Sequence, residues 1–161
     1  MADITSSTIL SENTRQIVMA FQYQYVDTGN ESAVTKVDVS TLQANANGDA
    51  CTGVQILKCT WVVKGMTVQV MAGASTNIIM LNLDEGQSGE VDYTDVGGLP
   101  NTKQTGTSPT GDIKFTTTGA GAGDSYQIVL TMKKKYVDTG YGEKMQLYIK
   151  VNYGNIRNSY F

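Results

Sequence analysis

The sequence contains no histidine. This absence excludes Ser-His-Asp and Cys-His catalysis, a histidine acid or base, and histidine-ligated zinc. The 161 residues include only two prolines and two cysteines. Two cysteines are too few for a disulfide scaffold, and Cys51 and Cys59 do not form a CxxC motif. We therefore interpret both as small buried hydrophobic residues rather than as redox groups.

Long apolar runs and a basic excess are also missing. No segment approaches the ~20 consecutive apolar residues of a membrane-spanning helix. The first residues lack a basic stretch followed by an apolar run, so we expect no secretory signal and synthesis in a reducing cytoplasm. The net charge is −3, whereas a general nucleic-acid binder carries a basic stripe. These features predict a protein that binds neither nucleic acid nor membrane.

The composition that is present favours β-structure. Glycine, serine and threonine fill 47 of the 161 positions, and glycine and β-branched threonine are poor residues for helix interiors. Apolar residues make up 40% of the chain, which argues against a disordered polypeptide. The length predicts a single domain with a sizeable core. We expect a flexible N-terminal leader over residues 1–14 and one β-sandwich domain over residues 15–161.

Alternation of apolar and polar residues predicts the strands. From residue 16 to 26 one face carries Ile17, Met19, Phe21, Tyr23 and Tyr25. Turn residues at 27–30 predict a hairpin returning over 33–39. Further strands are predicted over 54–63, 66–72, 76–83, 111–118, 126–137 and 144–153, the last two as a hairpin. Eight or nine strands without a helix predict an all-β antiparallel β-sandwich. A jelly-roll-like order is our first choice, and other Greek-key orders stay open.

One sequence repeat occurs in the chain. QIVMAFQYQYVDTG at 16–29 and QIVLTMKKKYVDTG at 127–140 share eight of fourteen positions without a gap. Both copies are predicted to be the first arm of a hairpin that turns at Asp-Thr-Gly. Either two hairpins met the same turn and packing demands, or half a sandwich was duplicated, and both interpretations stay open. The second copy carries three lysines at 133–135. Such a run is typical of an edge strand protected against unwanted pairing, and an anion-binding patch is the alternative.

No catalytic, cofactor-binding or metal-binding residue is predicted. The glycine-rich GAGAG at 119–123 precedes a strand, so it lacks the helix N-terminus that a phosphate loop requires. The acidic segment 84–95 holds five acids without a base, but their spacing fits no EF-hand loop. An enzyme with a carboxylate pair is the third hypothesis, because such pairs meet only in the fold. We predict a protein that is not an enzyme.

Aromatic and basic residues supply the candidate interface. Tyrosine combines an apolar body with a polar tip and suits protein or sugar surfaces. Loops and chain ends adapt most easily to a partner. The predicted interface residues are therefore Tyr93, Tyr141, Tyr160 and Phe161, together with Lys133 and Lys135 of the lysine run. Residues 1–110 sum to −6 and residues 111–161 to +3, which predicts an electrically polar molecule that orients on its partner.

Two tracts carry a resemblance to known proteins. DIKFTTTGAGAGDSYQIVLTMKKKY at 112–136 and QIVMAFQYQYVD at 16–27 resemble small virion structural proteins of marine tailed phages, of the cyanobacterial myovirus type. The resemblance extends over 15–40 and 54–153 and includes capsid-decorating proteins. It implies a non-enzymatic head decoration or cement protein that is made in the host cytoplasm, binds the major capsid protein on the outer capsid surface of the virion, and self-associates, often as a trimer.

A second function class remains open. Sandwich folds often carry carbohydrate-binding modules, so a host-recognition component of a fibre or tail is the alternative. Exposed loop tyrosines are its support in the sequence. Neither hypothesis requires a cofactor.

Overall fold

The computed structural model describes residues 3–27, 29–84 and 88–136. Nine strands occur in this part of the chain: β1 Ile4–Glu12, β2 Gln16–Gln24, β3 Val34–Val37, β4 Cys51–Lys64, β5 Thr67–Ala72, β6 Ile78–Leu83, β7 Ser88–Asp92, β8 Ile113–Thr118 and β9 Ser125–Tyr136. Its helices are three single 3₁₀ turns, Val39–Thr41, Thr94–Val96 and Thr102–Gln104.

The strands form two antiparallel sheets. Sheet A has the order β1-β2-β9-β4-β7, and sheet B has the order β3-β8-β5-β6. Four strand pairs follow the order of one long hairpin whose arms are β2 to β5 and β6 to β9: β2–β9, β3–β8, β4–β7 and β5–β6. Two further pairs, β4–β9 and β5–β8, form where this long hairpin folds back on itself. This connectivity is the jelly roll, so the predicted antiparallel sandwich and its jelly-roll order are confirmed.

The core lies between the two sheets. The alternation predicted for β2 holds, because its inward side chains are buried and β9 follows the same pattern. Phe21 of β2 meets Phe115 of β8 edge to face, with 5.2 Å between ring centroids. Phe115 also meets Tyr126 of β9 at 5.8 Å. These contacts join the sheets, since each aromatic side chain removes a large apolar area from water.

The predicted hairpin between 16–26 and 33–39 is wrong. β2 pairs with β1 and β9, whereas β3 belongs to sheet B and pairs with β8. The connecting residues cross between the sheets because Glu31 is tied to β8: its N–H donates to Thr117 Oγ1 at 2.8 Å, and its carbonyl accepts from the Thr117 N–H at 3.0 Å. Turn-type residues indicated a bend, but not whether the chain stays in its sheet.

The predicted flexible leader is also wrong over most of its length, because residues 4–12 form β1 at the edge of sheet A. Eight of its nine residues are exposed. Sheet A has five strands and sheet B four, so β1 extends beyond the facing sheet. A strand that buries neither face shows no apolar alternation, which explains why the sequence pattern missed it.

The strand parts of the two repeat copies, residues 16–24 in β2 and residues 127–136 in β9, lie side by side in sheet A. Met19 of β2 opposes Leu130 of β9, and these residues are also equivalent in the repeat. A local two-fold axis therefore passes through this pair and relates the two strands. The edge-strand interpretation of the lysine run is wrong, because β2 and β4 flank β9 on both sides. The predicted partner of β9 at 144–153 lies outside the described residues.

Candidate interaction surfaces

Only part of the predicted interface falls within the described residues. Tyr141, Tyr160 and Phe161 lie outside them. Tyr93 is half-buried and packs against the core. Its N–H donates to the Leu57 carbonyl at 2.7 Å, and its own carbonyl accepts from the Gly98 N–H at 2.9 Å. Tyr93 therefore anchors the loop that follows β7.

The other two predicted residues, Lys133 and Lys135, alternate along the outer face of sheet A. Lys133 is exposed and lies between Gln16 of β2 and Gln55 of β4. Lys135 is half-buried. Partial burial lowers the Lys135 pKa, and the neighbouring Lys133 charge lowers it further. The structure thus brings these two predicted residues together.

Lys134 points the other way and is buried at the margin of the core. Its side chain is 0% exposed, and its Nζ lies 2.6 Å from the Glu12 carboxylate and donates to the Gln43 carbonyl at 3.2 Å. The Gln43 N–H donates to Glu12 at 2.9 Å. Burial raises the Glu12 pKa, but these hydrogen bonds and the Lys134 charge outweigh it, so the pKa is lowered. The pair ties β9 to the end of β1.

A second buried charged pair closes the opposite end of the sandwich. Lys36 Nζ lies 2.5 Å from the Glu31 carboxylate, with both side chains under a tenth exposed. The Tyr126 hydroxyl donates to the other Glu31 oxygen at 2.6 Å. Burial raises the Tyr126 pKa, and the Glu31 carboxylate raises it further. Tyr23 stacks on Tyr126 at 5.2 Å. Each charge is satisfied, as burial of charge requires.

Neither cysteine is placed for chemistry. Cys51 and Cys59 are buried and unpaired by disulfide. Burial raises the pKa of Cys59 to about 12, and burial also raises the pKa of Cys51. A thiol that stays protonated is a poor nucleophile and a poor metal ligand. This geometry agrees with the interpretation of both as small hydrophobic residues.

A shallow groove of about 370 Å³ crosses the outer face of sheet A. Its polar side chains are amides and hydroxyls, from Gln22, Gln24, Gln127, Ser6 and Ser125, and its apolar ones are Ile4 and Val62. The tyrosines beneath it, Tyr23 and Tyr126, are 3% and 1% exposed and turn their rings inward. We call this the sheet A groove. It presents hydrogen-bonding groups without an aromatic platform.

A smaller apolar groove of about 160 Å³ lies beside the edge strand of sheet B. Its lining residues come from β6 and from the loop before β8: Ile78, Ile79, Met80, Leu99, Pro100 and Thr105. We call this the β6 groove. Ile78 is 38% exposed and Ile79 is 51% exposed. Val96, three residues before Leu99, is 77% exposed.

Local backbone features hold the β6 groove open. Met80 is an extra residue between the pairs Ile79–Met71 and Leu81–Val70, and such a bulge twists an edge strand. The Leu99 N–H donates to Ile56 of β4 at 2.9 Å, which fixes one wall. The sequence carried a signal for this site, because the run IIML at 78–81 is apolar on both faces although an edge strand buries only one.

The described residues contain no group of three or more cysteines and acids that could hold a metal ion. No helix in the same part of the chain is long and apolar enough to cross a membrane. Neither a protein-family model nor a curated protein matches this sequence.

Proposed function

We propose that this chain is a non-enzymatic virion structural protein of a tailed phage, a decoration or cement protein that docks on the outer capsid surface. The β6 groove is the observation that carries the proposal. A run of apolar side chains at a sheet edge, held open by a bulge and a braced loop, is a surface that a partner can cover. The resemblance to capsid-decorating proteins names the partner class, the major capsid protein.

Rigidity favours this groove as the docking surface. Ile78 and Ile79 are in a strand paired with β5, and the Ser75 N–H donates to the Thr107 carbonyl at 2.9 Å, joining the β5–β6 connection to the long loop. Binding to such a preordered surface loses little conformational entropy. Covering the exposed part of Ile79 contributes about 25 cal/mol for each Å² of apolar area removed from water.

Weak binding at each site is sufficient to stabilise a capsid. A shell presents many identical sites, and a protein that binds only the assembled lattice stabilises it by mass action. Jelly rolls recur in viral capsid proteins, although this is an analogy between folds. The resemblance also implies self-association, and a trimer would bring three grooves to a three-fold position. Light scattering after size exclusion tests this, with an expected mass three times the 17.3 kDa of the chain.

The proposal is tested with capsids that lack the protein. Purified chain added to such shells should sediment with them saturably and raise the temperature at which they break. Titration of the bound fraction gives the number of sites, and a thermal release assay for DNA gives the breakage temperature. Absence of binding at micromolar concentration would contradict the proposal.

A matched pair of variants locates the surface. Ile79→Asp places a charge in the β6 groove, and Val62→Asp places one at an equally exposed strand position on sheet A, since the two side chains are 51% and 52% exposed. We expect Ile79→Asp to weaken capsid binding about tenfold or more, because about 1.4 kcal/mol corresponds to a factor of ten. Val62→Asp should bind like the native chain. Equal loss in both variants would rule out the β6 groove as the specific site.

The sheet A groove favours the alternative, a carbohydrate-binding host-recognition module. Its glutamine amides, on Gln22, Gln24 and Gln127, can donate to and accept from sugar hydroxyls. A glycan array tests this alternative, with Gln127→Ala and Tyr93→Ala as variants. Binding that is lost in Gln127→Ala would support it. An array without hits would contradict it.

A further inference from the structure

Three lysines meet on the outer face of sheet A. Lys133 and Lys135 share that face of β9, and Lys135 is paired with Gly53 of β4. A Cβ atom at Gly53 would lie 2.9 Å from the Lys103 Cβ atom. Directly opposite residues in an antiparallel pair have Cβ atoms about 5 Å apart, so the Cβ atoms of Lys103 and Lys135 lie within about 8 Å of each other. We call Lys103, Lys133 and Lys135 the lysine cluster.

Buried contacts of the neighbouring residues fix the position of Lys103. Thr102 is 0% exposed, and its Oγ1 accepts from the Val54 N–H at 2.9 Å and donates to the Gly111 carbonyl at 2.6 Å. The Asn101 side chain accepts from the Lys103 N–H at 3.0 Å. Lys103 therefore belongs to a braced turn, so a partner that binds there does not have to order the backbone.

The described part of the chain does not neutralise the charges of the lysine cluster. The ion pairs within that part include none of its members. The Lys103 Nζ donates to the Pro109 carbonyl at 3.1 Å, and this carbonyl carries no net charge. Partial burial lowers the pKa of Lys135, and the Lys133 charge lowers it further, because both destabilise the ammonium form. An anion bound at the cluster would relieve the repulsion between these charges.

The lysine cluster is continuous with the β6 groove. Leu99, Pro100 and Thr105 line that groove, and Lys103 belongs to the same loop. The loop lies along β4, since the Leu99 N–H donates to the Ile56 carbonyl at 2.9 Å. One stretch of chain thus contributes to both the apolar groove and the basic cluster, so a single partner surface can contact both.

We infer that the lysine cluster binds carboxylate side chains of the protein that covers the β6 groove. This assignment rests on the proposed function, and it places acidic residues beside apolar ones on the partner. Hydrogen bonds between an ammonium group and a carboxylate are roughly twice as strong as those between neutral groups. The amides of Gln16 and Gln55, which flank Lys133, supply further donors. A nucleic acid fits less well, since the net charge of the chain is −3.

Capsid binding at two salt concentrations tests this assignment. Between about 0.1 M and 1 M NaCl the Debye length falls from about 10 Å to about 3 Å, which screens contacts between charges and leaves apolar contacts intact. Titration of capsids that lack the protein should therefore give an affinity about tenfold lower, or less still, at the higher concentration. Equal affinity at both concentrations would overturn the assignment and leave the proposed function standing. Absence of binding at both would contradict the proposed function, and an acidic peptide then decides the assignment.

Neutral variants identify the residues involved. Lys135→Gln should weaken capsid binding at low salt about tenfold, because a hydrogen bond to a charged group is lost, and the exposed Lys133→Gln about threefold. The matched control is Lys64→Gln, which removes an exposed lysine at the other end of β4, where Lys64 is paired with Ser125. The control should bind like the native chain. Equal loss in all three variants would indicate a general attraction between charges and would overturn the assignment.

A polyglutamate peptide tests the lysine cluster on the full chain without the capsid. At low salt it should saturably shift the amide NMR resonances of Lys103, Lys133 and Lys135 and leave that of Lys64 in place. The shifts should be lost in Lys135→Gln. Shifts of equal size at Lys64, or no shifts at the cluster, would overturn the assignment whatever the result with capsids.

Discussion

Lys36 and Lys134 lie inside this sandwich, whereas Ile78 and Ile79 lie partly exposed on its β6 edge. Lys36 and Lys134 each contact a carboxylate at 2.5 or 2.6 Å and are almost fully buried. Ile78 and Ile79 line a groove that no described residue covers. Both regions reverse the usual distribution, in which lysine is exposed and isoleucine is buried. The two regions differ in their partners. The buried charges have carboxylate partners within the fold, whereas no described residue covers the exposed apolar groups.

The two buried ion pairs have a structural role, whereas the exposed β6 groove suits a binding role. A buried charge with a close counter-ion contributes to the fold as long as both partners are present, and removing one leaves an uncompensated charge. The exposed apolar side chains of the β6 groove contribute little to the isolated fold and gain from a partner. Variants in the ion pairs should therefore change stability without changing docking. Variants in the β6 groove should do the reverse.

The largest loss of stability is expected from Glu31→Gln. The change leaves the Lys36 charge buried without a counter-ion and weakens the hydrogen bond from Tyr126. The free energy of unfolding should fall by about 4 kcal/mol, measured by urea denaturation. The exposed pair Lys58–Glu90, at 3.2 Å, offers the control Glu90→Gln, which should cost less than about 1 kcal/mol. Equal effects would show that burial of the pair is unimportant.

Glu12→Gln should have the next largest effect, about 3 kcal/mol. Lys134 is fully buried, but the Glu12 side chain is 18% exposed, so water can partly compensate the unpaired lysine. The same urea experiment measures the loss, and Glu90→Gln again serves as control. A loss greater than that of Glu31→Gln would mean that the Glu12–Lys134 pair contributes more to stability than the Glu31–Lys36 pair.

The pH dependence of stability tests the contribution of the Glu12–Lys134 ion pair. Because the folded-state pKa of Glu12 is lowered, its contribution is fully present above the unfolded value of about 4.3. That contribution is lost as the pH falls through the lowered folded-state pKa. The stability of native protein should therefore drop more steeply below about pH 4 than that of Glu12→Gln. Parallel curves from pH 7 to pH 2 would contradict this role for Glu12.

The smallest change in stability is expected from Ile79→Asp. Ile79 is 51% exposed at a sheet edge, and substitutions at such sites usually change the free energy of unfolding by no more than about 0.5 kcal/mol. Thermal unfolding followed by circular dichroism measures the effect, with Val62→Asp beside it. A large destabilisation specific to Ile79→Asp would mean that the groove belongs to the core.

The sequence predicted strands correctly where one face of the strand is buried and missed the strand that buries neither face. β2 was predicted correctly because its inward residues, from Ile17 to Tyr23, alternate with polar ones. β1 was missed because it buries neither face, and the lysine run was assigned to an edge because Lys134 was not expected to have a buried partner. That partner, Glu12, is 122 residues away in sequence. Which strands become neighbours within a sheet depends on such distant contacts, which no local pattern reveals.

The candidate site was harder to predict than the fold. Tyr93 was proposed because it is a tyrosine in a predicted loop, yet it packs against the core and its backbone anchors that loop. The β6 groove was missed because Ile78 and Ile79 read as an ordinary buried strand. Whether an apolar strand is central or at an edge depends on the sheet order, and the sequence carries that information only through the complete topology.

Amide hydrogen exchange of the capsid-bound and the free protein shows directly which surface docks. If the β6 groove docks on the capsid, exchange should slow at residues 77–80 and 99–105, which surround the groove. Exchange at the sheet A groove, around Gln22 and Gln127, should stay unchanged. Protection of the sheet A groove, with the β6 groove exchanging as in the free protein, would show that the β6 groove is not the docking surface.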